Sequence, residues 1–163
     1  MKRAGADIEN RLSPEAQLAQ TWERPTADDR AEMVGQLPLF SRLGKRQRRQ
    51  VAKLAQFVGF APGDFIVQAG EPGDSLYLIL DGRAKVVGKS RARPLRAGDV
   101  FGEMALLDGQ PRSATIAATS ELHAMQLRRD PFMKVLAKEP RMALAIMEQL
   151  AGRVRRLEKA GAA

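Results

Sequence analysis

The sequence predicts an α+β fold in which an antiparallel β-barrel or jelly-roll sandwich is flanked by helices at both ends. Two observations carry this prediction. Between residues 57 and 128, short aliphatic runs alternate with turns built from glycine, proline and aspartate. Before and after this region, apolar residues recur at the three- and four-residue spacing of amphipathic helices. Short strands at such even spacing are typical of closed or two-layered antiparallel sheets.

Residues 1–36 are predicted to be a helical appendage to the domain formed by residues 37–163. Ser13-Pro14-Glu15 places proline at the first position of a helix, and Thr26 to Asp29 has the spacing of a capping box for a second helix ending near Val34. Apolar residues are sparse in this segment. The single tryptophan, Trp22, is therefore expected to dock it on its own domain, with a partner as the alternative.

An amphipathic helix is predicted between Gly44 and Phe57, after a Leu-Pro-Leu-Phe lead-in at residues 37–40. Its apolar residues fall at helical spacing, and basic residues occupy most of the remaining positions. This helix is expected to pack against the strands that follow. The apolar positions are Leu43, Val51, Leu54, Ala55 and Phe57, and the basic positions are Lys45, Arg46, Arg48, Arg49 and Lys53.

Seven strands are predicted in the β-region, at about residues 57–128, and two helices after it. The helices begin near prolines and cover residues 131–137 and 140–159, within a C-terminal helical region of residues 130–159. The long helix carries an apolar stripe in steps of four and three, which either pairs two subunits or folds over the sheet. The stripe consists of Ala143, Met147, Leu150, Val154, Leu157 and Gly161. The strands are residues 57–60, 64–68, 76–80, 84–87, 93–96, 115–118 and 122–127.

The most informative motif runs from Phe101 to Thr115. Phe-Gly-Glu-Met-Ala-Leu-Leu predicts a short helix whose first backbone N–H groups are free to bind an anion, and Gly102 lets the backbone approach a ligand. In the following Pro-Arg-Ser-Ala-Thr, the guanidinium of Arg112 can bind two phosphate oxygens at once. Glu103, next to a phosphate, needs a hydrogen-bond donor such as a ribose hydroxyl. The motif therefore predicts a small phosphate-binding site.

This motif resembles the phosphate-binding cassette of the cyclic-nucleotide-binding domain family, found in catabolite-activator-type regulators, nucleotide-gated channels and protein-kinase regulatory subunits. Both halves of the family pattern, Phe-Gly-Glu-(aliphatic)-(small)-Leu-Leu and Pro-Arg-(small)-Ala-Thr, are present without substitution at a ligand position. The resemblance implies an antiparallel, jelly-roll-like β-roll. It also implies a bound cyclic nucleotide as the ligand, with no cofactor.

The resemblance also implies roles for individual residues. Glu103 would bind the ribose 2′-hydroxyl, Arg112 the cyclic phosphate, and Ser113 would place a hydroxyl near phosphate and base. Val86 would line the base pocket, and Arg153 on the long helix would stack on the purine, although Arg155 or Arg156 could replace it. The remaining polar contacts would come from the backbone of Gly102, Met104, Ala105 and Ala114. Cyclic AMP is favoured, and Ser113 is expected to keep cyclic GMP within about tenfold, roughly one hydrogen bond.

Composition excludes several other kinds of site. The chain has no cysteine, and its single histidine, His123, excludes a metal site that needs two imidazoles. No Ser/His/Asp or Cys/His set can be assembled, so neither catalysis nor a metal is expected, and His123 is assigned to structure. No apolar run approaches the ~20 residues that span a bilayer. The N-terminus also lacks a signal peptide, which predicts a cytoplasmic protein without a membrane partner.

The net charge of +8 is concentrated in the helices beside the predicted sheets. Residues 37–60 carry six basic and no acidic side chains, and residues 130–163 carry seven basic and four acidic ones. A solvated helix surface is the favoured explanation over a nucleic-acid or acidic-lipid partner.

Two classes of function agree with these features. The favoured one is a sensor that binds cyclic AMP and signals to an unidentified effector protein by moving its C-terminal helix, with a homodimer through that helix left open. The alternative is a truncated or atypical DNA-binding regulator of the catabolite-activator type, whose helix-turn-helix would have to follow the long helix, while the sequence ends at Ala163. An excised sensor of a nucleotide-gated channel is a further alternative.

Overall fold

The computed structural model describes residues 25–88, 91 and 93–162. Within these ranges, eight strands form two four-stranded antiparallel sheets with helices before and after them. This arrangement confirms the predicted α+β β-roll. The predicted helix at Ser13 and the docking of Trp22 fall outside the described residues. The division into an appendage and a domain at residue 36 stays a prediction.

Two helices and a 3₁₀ turn precede the sheets. Helix α1 (Ala27–Gln36) begins at the predicted capping box, in which the Asp29 N–H donates to Thr26 Oγ1 at 3.1 Å and the Thr26 N–H donates to Asp29 Oδ2 at 2.9 Å. The Leu-Pro-Leu-Phe lead-in forms the 3₁₀ turn (Pro38–Phe40), and helix α2 (Lys45–Ala52) follows.

Helix α2 ends earlier than the sequence predicts. The predicted helix extends to Phe57, but the regular helix stops at Ala52, and Gln56 to Phe60 form a strand. From Gln56 onward, this segment pairs with the last strand of the β-region, in which Gln126 lies opposite Gln56. Helical spacing in the sequence cannot reveal a partner that lies so far along the chain, and the prediction that the helix reaches Phe57 is wrong.

The two sheets enclose the centre of the β-roll. One sheet has the strand order β1-β8-β3-β6 and the other β2-β7-β4-β5. All seven predicted strands are present with shifted ends, and β6, which was not predicted, consists of only two residues. The strands are β1 (Gln56–Phe60), β2 (Phe65–Val67), β3 (Ser75–Asp81), β4 (Arg83–Val86), β5 (Leu95–Arg96), β6 (Val100–Phe101), β7 (Ile116–Ala118) and β8 (Leu122–Arg128).

Three further helices complete the fold. Helix α3 (Glu103–Asp108) follows β6 directly, and α4 (Arg129–Lys138) and α5 (Pro140–Gly161) follow β8. Both C-terminal helices are slightly longer than predicted. Among the described residues, none of the helices is long and apolar enough to cross a bilayer.

Two apolar clusters support the fold. One lies among the helices and one side of the first sheet, where the rings of Phe40 and Phe132 approach with centroids 5.5 Å apart. The other fills the space between the sheets and includes Ile79, Ala84 and Leu122. Because α3 lies between β6 and β7, these two strands fix both ends of the segment that carries the predicted binding motif.

Candidate ligand-binding site

A cavity of about 380 Å³ opens beside α3. Its walls come from α3, the loop between α3 and β7, strands β2, β6 and β7, and one residue of α5. Eight of the nine residues predicted from the sequence lie together around it. They are Gly102, Glu103, Met104, Ala105, Arg112, Ser113, Ala114 and Arg153.

The ninth predicted residue, Val86, is not among the residues that line this cavity. It lies on β4, directly opposite Ile116 on β7, and Ile116 does line the cavity. The structure therefore places Val86 on the strand next to the cavity wall.

Sequence reasoning missed most of the side walls. Val67 and Ile116 are neighbours only because β2 pairs with β7, and no local pattern shows that pairing. Phe101 and Pro111 belong to the motif itself, so their position in the sequence could have identified them. The unpredicted lining residues are Val67, Val100, Phe101, Asp108, Gln110, Pro111 and Ile116.

Arg112 places a buried positive charge at the cavity. Its side chain is 7% exposed, and its Nη2 donates a hydrogen bond to the Ser75 carbonyl at 2.7 Å. The only carboxylate paired with it among the described residues is Asp74, at 3.7 Å, and that side chain is 67% exposed. A desolvated guanidinium with one distant, solvated countercharge favours an anionic ligand.

Gly102 allows the backbone to pass next to this guanidinium. Its φ is 83°, in the left-handed region that favours glycine. A Cβ atom at this position would lie 2.5 Å from the Ser75 carbonyl oxygen and 2.6 Å from Arg112 Nη1. Any other residue would displace the arginine or the strand, so glycine is required here.

Glu103 supplies an unused hydrogen-bond acceptor. Its side chain is 15% exposed, and its buried Oε2 has no hydrogen-bond partner among the described residues. The Arg153 Nη1 lies 3.7 Å from Oε2. Burial raises the pKa of Glu103, and the Arg153 guanidinium offsets that rise only in part. This carboxylate is therefore suited to accept a hydrogen bond from a ligand hydroxyl.

The single histidine lies away from the cavity. His123 is buried on β8, with Nδ1 3.9 Å from an Asp81 oxygen and Nε2 3.9 Å from a Glu121 oxygen. No cluster of three or more metal-ligating side chains occurs within the part of the chain that the structure describes.

The fold and this site define a class of protein. Residues 57–139 match the family model of the cyclic nucleotide-binding domain. The chain belongs to this family, which confirms the resemblance seen in the motif. A domain of this kind is regulatory and non-catalytic, and the cyclic nucleotide is its ligand and not a cofactor.

Two curated relatives illustrate the range of proteins that share this domain. The chain is 36% identical over 104 residues to a cAMP-dependent protein kinase regulatory subunit of Emericella nidulans, covering 62% of this chain and 25% of the relative. It is 33% identical over 115 residues to a cyclic nucleotide-gated potassium channel of Rhizobium etli, covering 71% of this chain and 32% of the channel. The chain thus spans a third or less of these curated relatives.

Among solved structures, the chain resembles the N-terminal domain of a transcriptional regulator from Streptomyces coelicolor. The TM-score is 0.69 with 28% identity, and the match covers 78% of this chain and 94% of the other.

The raised pKa of Glu103 predicts a pH-dependent cost to stability. Because the folded state penalises the charged carboxylate, Glu103→Gln should melt at a higher temperature than wild type at about pH 7 without ligand. The difference should shrink as pH falls through the raised pKa towards the ordinary value of 4.5. Calorimetric melting of wild type and Glu103→Gln across this pH range measures the difference in melting temperature.

The exposed Glu158 provides the control, because Glu158→Gln removes a carboxylate that is not buried and should change the melting temperature much less than Glu103→Gln does. A Glu103→Gln variant that gains no stability at neutral pH would show that burial of the carboxylate has no cost.

Proposed function

We propose that this protein is a cyclic-nucleotide sensor that binds 3′,5′-cyclic AMP beside α3 and signals through α5, in a regulatory and non-catalytic role. The observation that carries the proposal is that one cavity is lined both by the buried Arg112 guanidinium and by Glu103, whose carboxylate Oε2 accepts no hydrogen bond among the described residues. The guanidinium matches the charge of a cyclic phosphate. The carboxylate matches the 2′-hydroxyl of a ribose, and would repel a second phosphate.

The size of the cavity and its apolar walls support the same ligand class. A volume of about 380 Å³ lies in the range of small-molecule sites. Val67, Val100 and Ile116 offer a purine apolar contact and no hydrogen-bonding side chain. Discrimination between bases should therefore be small. Ser113 adds one hydroxyl, so cyclic GMP is proposed to bind within about tenfold of cyclic AMP.

An effector protein is the proposed partner. Kinase regulatory subunits are among the similar proteins, which favours a sensor that acts on another protein. The Streptomyces coelicolor regulator favours a second candidate, in which this domain senses the nucleotide for a DNA-binding segment.

Calorimetric titration with cyclic AMP, cyclic GMP and 5′-AMP tests the ligand assignment. Arg112→Ala should weaken cyclic AMP binding by about 2 to 5 kcal/mol, because a phosphate would remain in the cavity without its countercharge. Glu103→Ala should cost less, roughly 1 to 2 kcal/mol. It should also reduce the preference for ribose over 2′-deoxyribose in the ligand.

The matched control is Arg83→Ala on β4, because Arg83 is exposed and does not line the cavity. Equal affinity of wild type, Arg112→Ala and Glu103→Ala for cyclic AMP would overturn the assignment. Tight binding of 5′-AMP would show that the site does not require a cyclic phosphate.

Helix α5 is the proposed signalling element. It delivers Arg153 to the cavity, where Nη1 of the guanidinium lies 3.7 Å from Glu103 Oε2. A ligand shifts a conformational equilibrium only if it contacts one state more favourably than the other. A nucleotide whose ribose occupies Glu103 would release Arg153, and its guanidinium could then stack on the purine for about 1 to 2 kcal/mol.

Amide hydrogen exchange measures the movement of α5. Addition of cyclic AMP should slow exchange in residues 140–159, and Arg153→Ala should weaken binding roughly 5- to 30-fold through loss of the stacking contact. The control is Arg155→Ala, because Arg155 is an exposed arginine on the same helix. Unchanged exchange in this helix, or full affinity of Arg153→Ala, would contradict the role of α5 as the signalling element.

A homodimer through α5 is also proposed. Four large apolar side chains on this helix are at least half exposed: Leu144 at 52%, Met147 at 58%, Val154 at 53% and Leu157 at 65%. Met147, Val154 and Leu157 belong to the stripe predicted from the sequence, and a second α5 would cover them.

Sedimentation velocity tests the homodimer. Wild type should form dimers as its concentration rises, and Val154→Glu/Leu157→Glu should remain monomeric because each subunit would bring two carboxylates into the interface. Ala160→Glu, at an exposed position of the same helix, controls for the added charge. A wild-type protein that stays monomeric at about 100 μM, a concentration at which weak interfaces associate, would exclude the dimer.

A further inference from the structure

We propose that Gln126 is a positioning residue for phosphate recognition, acting through Ser75 and Tyr77 on the guanidinium of Arg112. The inference rests on the proposed function of the cavity. Gln126 lies on β8 and is not among the cavity-lining residues, so its effect on a ligand must pass through other side chains.

The amide of Gln126 binds two neighbouring side chains across the sheet. Gln126 lies directly opposite Tyr77 in the β3–β8 pair. Its Nε2 donates to Tyr77 Oη at 2.9 Å and to Ser75 Oγ at 3.1 Å. A side-chain amide has two N–H donors, and these two contacts use both of them.

Ser75 connects this amide to the arginine. The Ser75 carbonyl accepts the hydrogen bond from Arg112 Nη2, and the Ser75 hydroxyl lies 3.0 Å from Asp74 Oδ1, to which it donates. Asp74 Oδ1 is in turn the carboxylate oxygen 3.7 Å from Arg112 Nη2. Ser75 therefore supplies one group that faces Arg112 Nη2, its own carbonyl, and hydrogen-bonds the other, the Asp74 carboxylate.

Tyr77 provides the second connection. Its ring centroid lies 6.0 Å from the guanidinium carbon of Arg112. The same ring stacks on Phe101, with centroids 5.2 Å apart and an interplanar angle of 19°. Phe101 lines the cavity and immediately precedes Gly102, the residue that leaves room for Arg112 Nη1. The orientation of Tyr77 thus affects the cavity wall as well as the arginine.

The Gln126 amide lies beside an apolar cluster, where a polar group lowers stability unless it is hydrogen-bonded. The same face of β8 contributes Leu122 and Ala124 to the apolar cluster between the sheets. A polar side chain at the edge of this cluster costs free energy unless its hydrogen bonds are complete. Gln126 contacts Ser75 and Tyr77 and not Arg112 itself, and the hydrogen bond from Arg112 to Ser75 uses Nη2, which leaves Nη1 for a phosphate.

Gln126→Met tests the inference, because methionine has similar length and no amide. In calorimetric titration of the full chain, this variant should bind cyclic AMP roughly five- to tenfold more weakly than wild type, the loss expected for one or two hydrogen bonds. Gln56→Met, at the exposed position opposite Gln126 on β1, is the matched control and should bind within about twofold of wild type.

A double-mutant cycle separates positioning from stability. The loss caused by Gln126→Met should largely disappear in an Arg112→Lys background, because lysine lacks the planar guanidinium that Gln126 orients. In ligand-free wild type, the Nε–H nuclear magnetic resonance of Arg112, assigned by its loss in Arg112→Lys, should shift in Gln126→Met and not in Gln56→Met. Tyr77→Phe, which keeps the ring, should shift the same resonance by a smaller amount.

Three results would overturn the positioning role. They are wild-type affinity of Gln126→Met, an equal loss in both backgrounds, and an Arg112 resonance unchanged in both Gln126→Met and Tyr77→Phe. If wild type fails to bind cyclic AMP, the proposed function fails, and the inference about phosphate recognition falls with it. The Arg112 resonance would still show whether Gln126 orients the arginine.

Discussion

The burial of the Arg112 guanidinium is the constraint on which the binding region depends. A buried guanidinium has lost most of its hydration, so the protein must replace part of it with fixed acceptors. The Ser75 carbonyl supplies the short contact and Asp74 a longer one. Gly102 must lack a side chain to leave room for the arginine. Strand β3, the start of α3 and the loop before β7 therefore form one unit around a single charge.

The cavity also contains a group whose charge is poorly satisfied. Glu103 is largely desolvated, and its contact with Arg153 lowers the pKa less than burial raises it. A fold selected only for stability would have no reason to keep a carboxylate there. Its presence in the cavity that Arg112 also lines is understandable if a ligand donates a hydrogen bond to it. Ligand binding would then offset the free-energy cost of burying the carboxylate.

The parts of the site that the sequence predicts are those that lie close together along the chain. Gly102, Glu103 and Arg112 occur within one motif, so their residue types and spacing are sufficient to predict that they share a site. Ser113 lies in the same motif, but its role is implied by the family resemblance. Arg153, which lies on a separate helix, came from the family resemblance. The start of helix α1 can likewise be predicted from the sequence, because a capping box is a local signal.

The features that the sequence did not predict depend on distant strands. The early end of α2 follows from the pairing of β1 with β8, and β6 is too short to produce an alternating pattern. The family resemblance predicts Val86 as a residue that lines the base pocket, whereas the structure places Ile116, its partner in the β4–β7 pair, in the cavity wall. Gln126 likewise has no local signature, since its hydrogen-bond partners lie about fifty residues earlier.

Helix α5 serves two environments at once, because it carries Arg153 to the cavity and exposes apolar side chains to solvent. Under the proposed mechanism, these two faces are thermodynamically linked. A protein that binds α5 and holds it away from the cavity lowers the affinity for the nucleotide by some factor. The nucleotide lowers the affinity of that protein for α5 by the same factor. The abundance of that protein in the cell would therefore set the concentration of nucleotide at which the sensor responds.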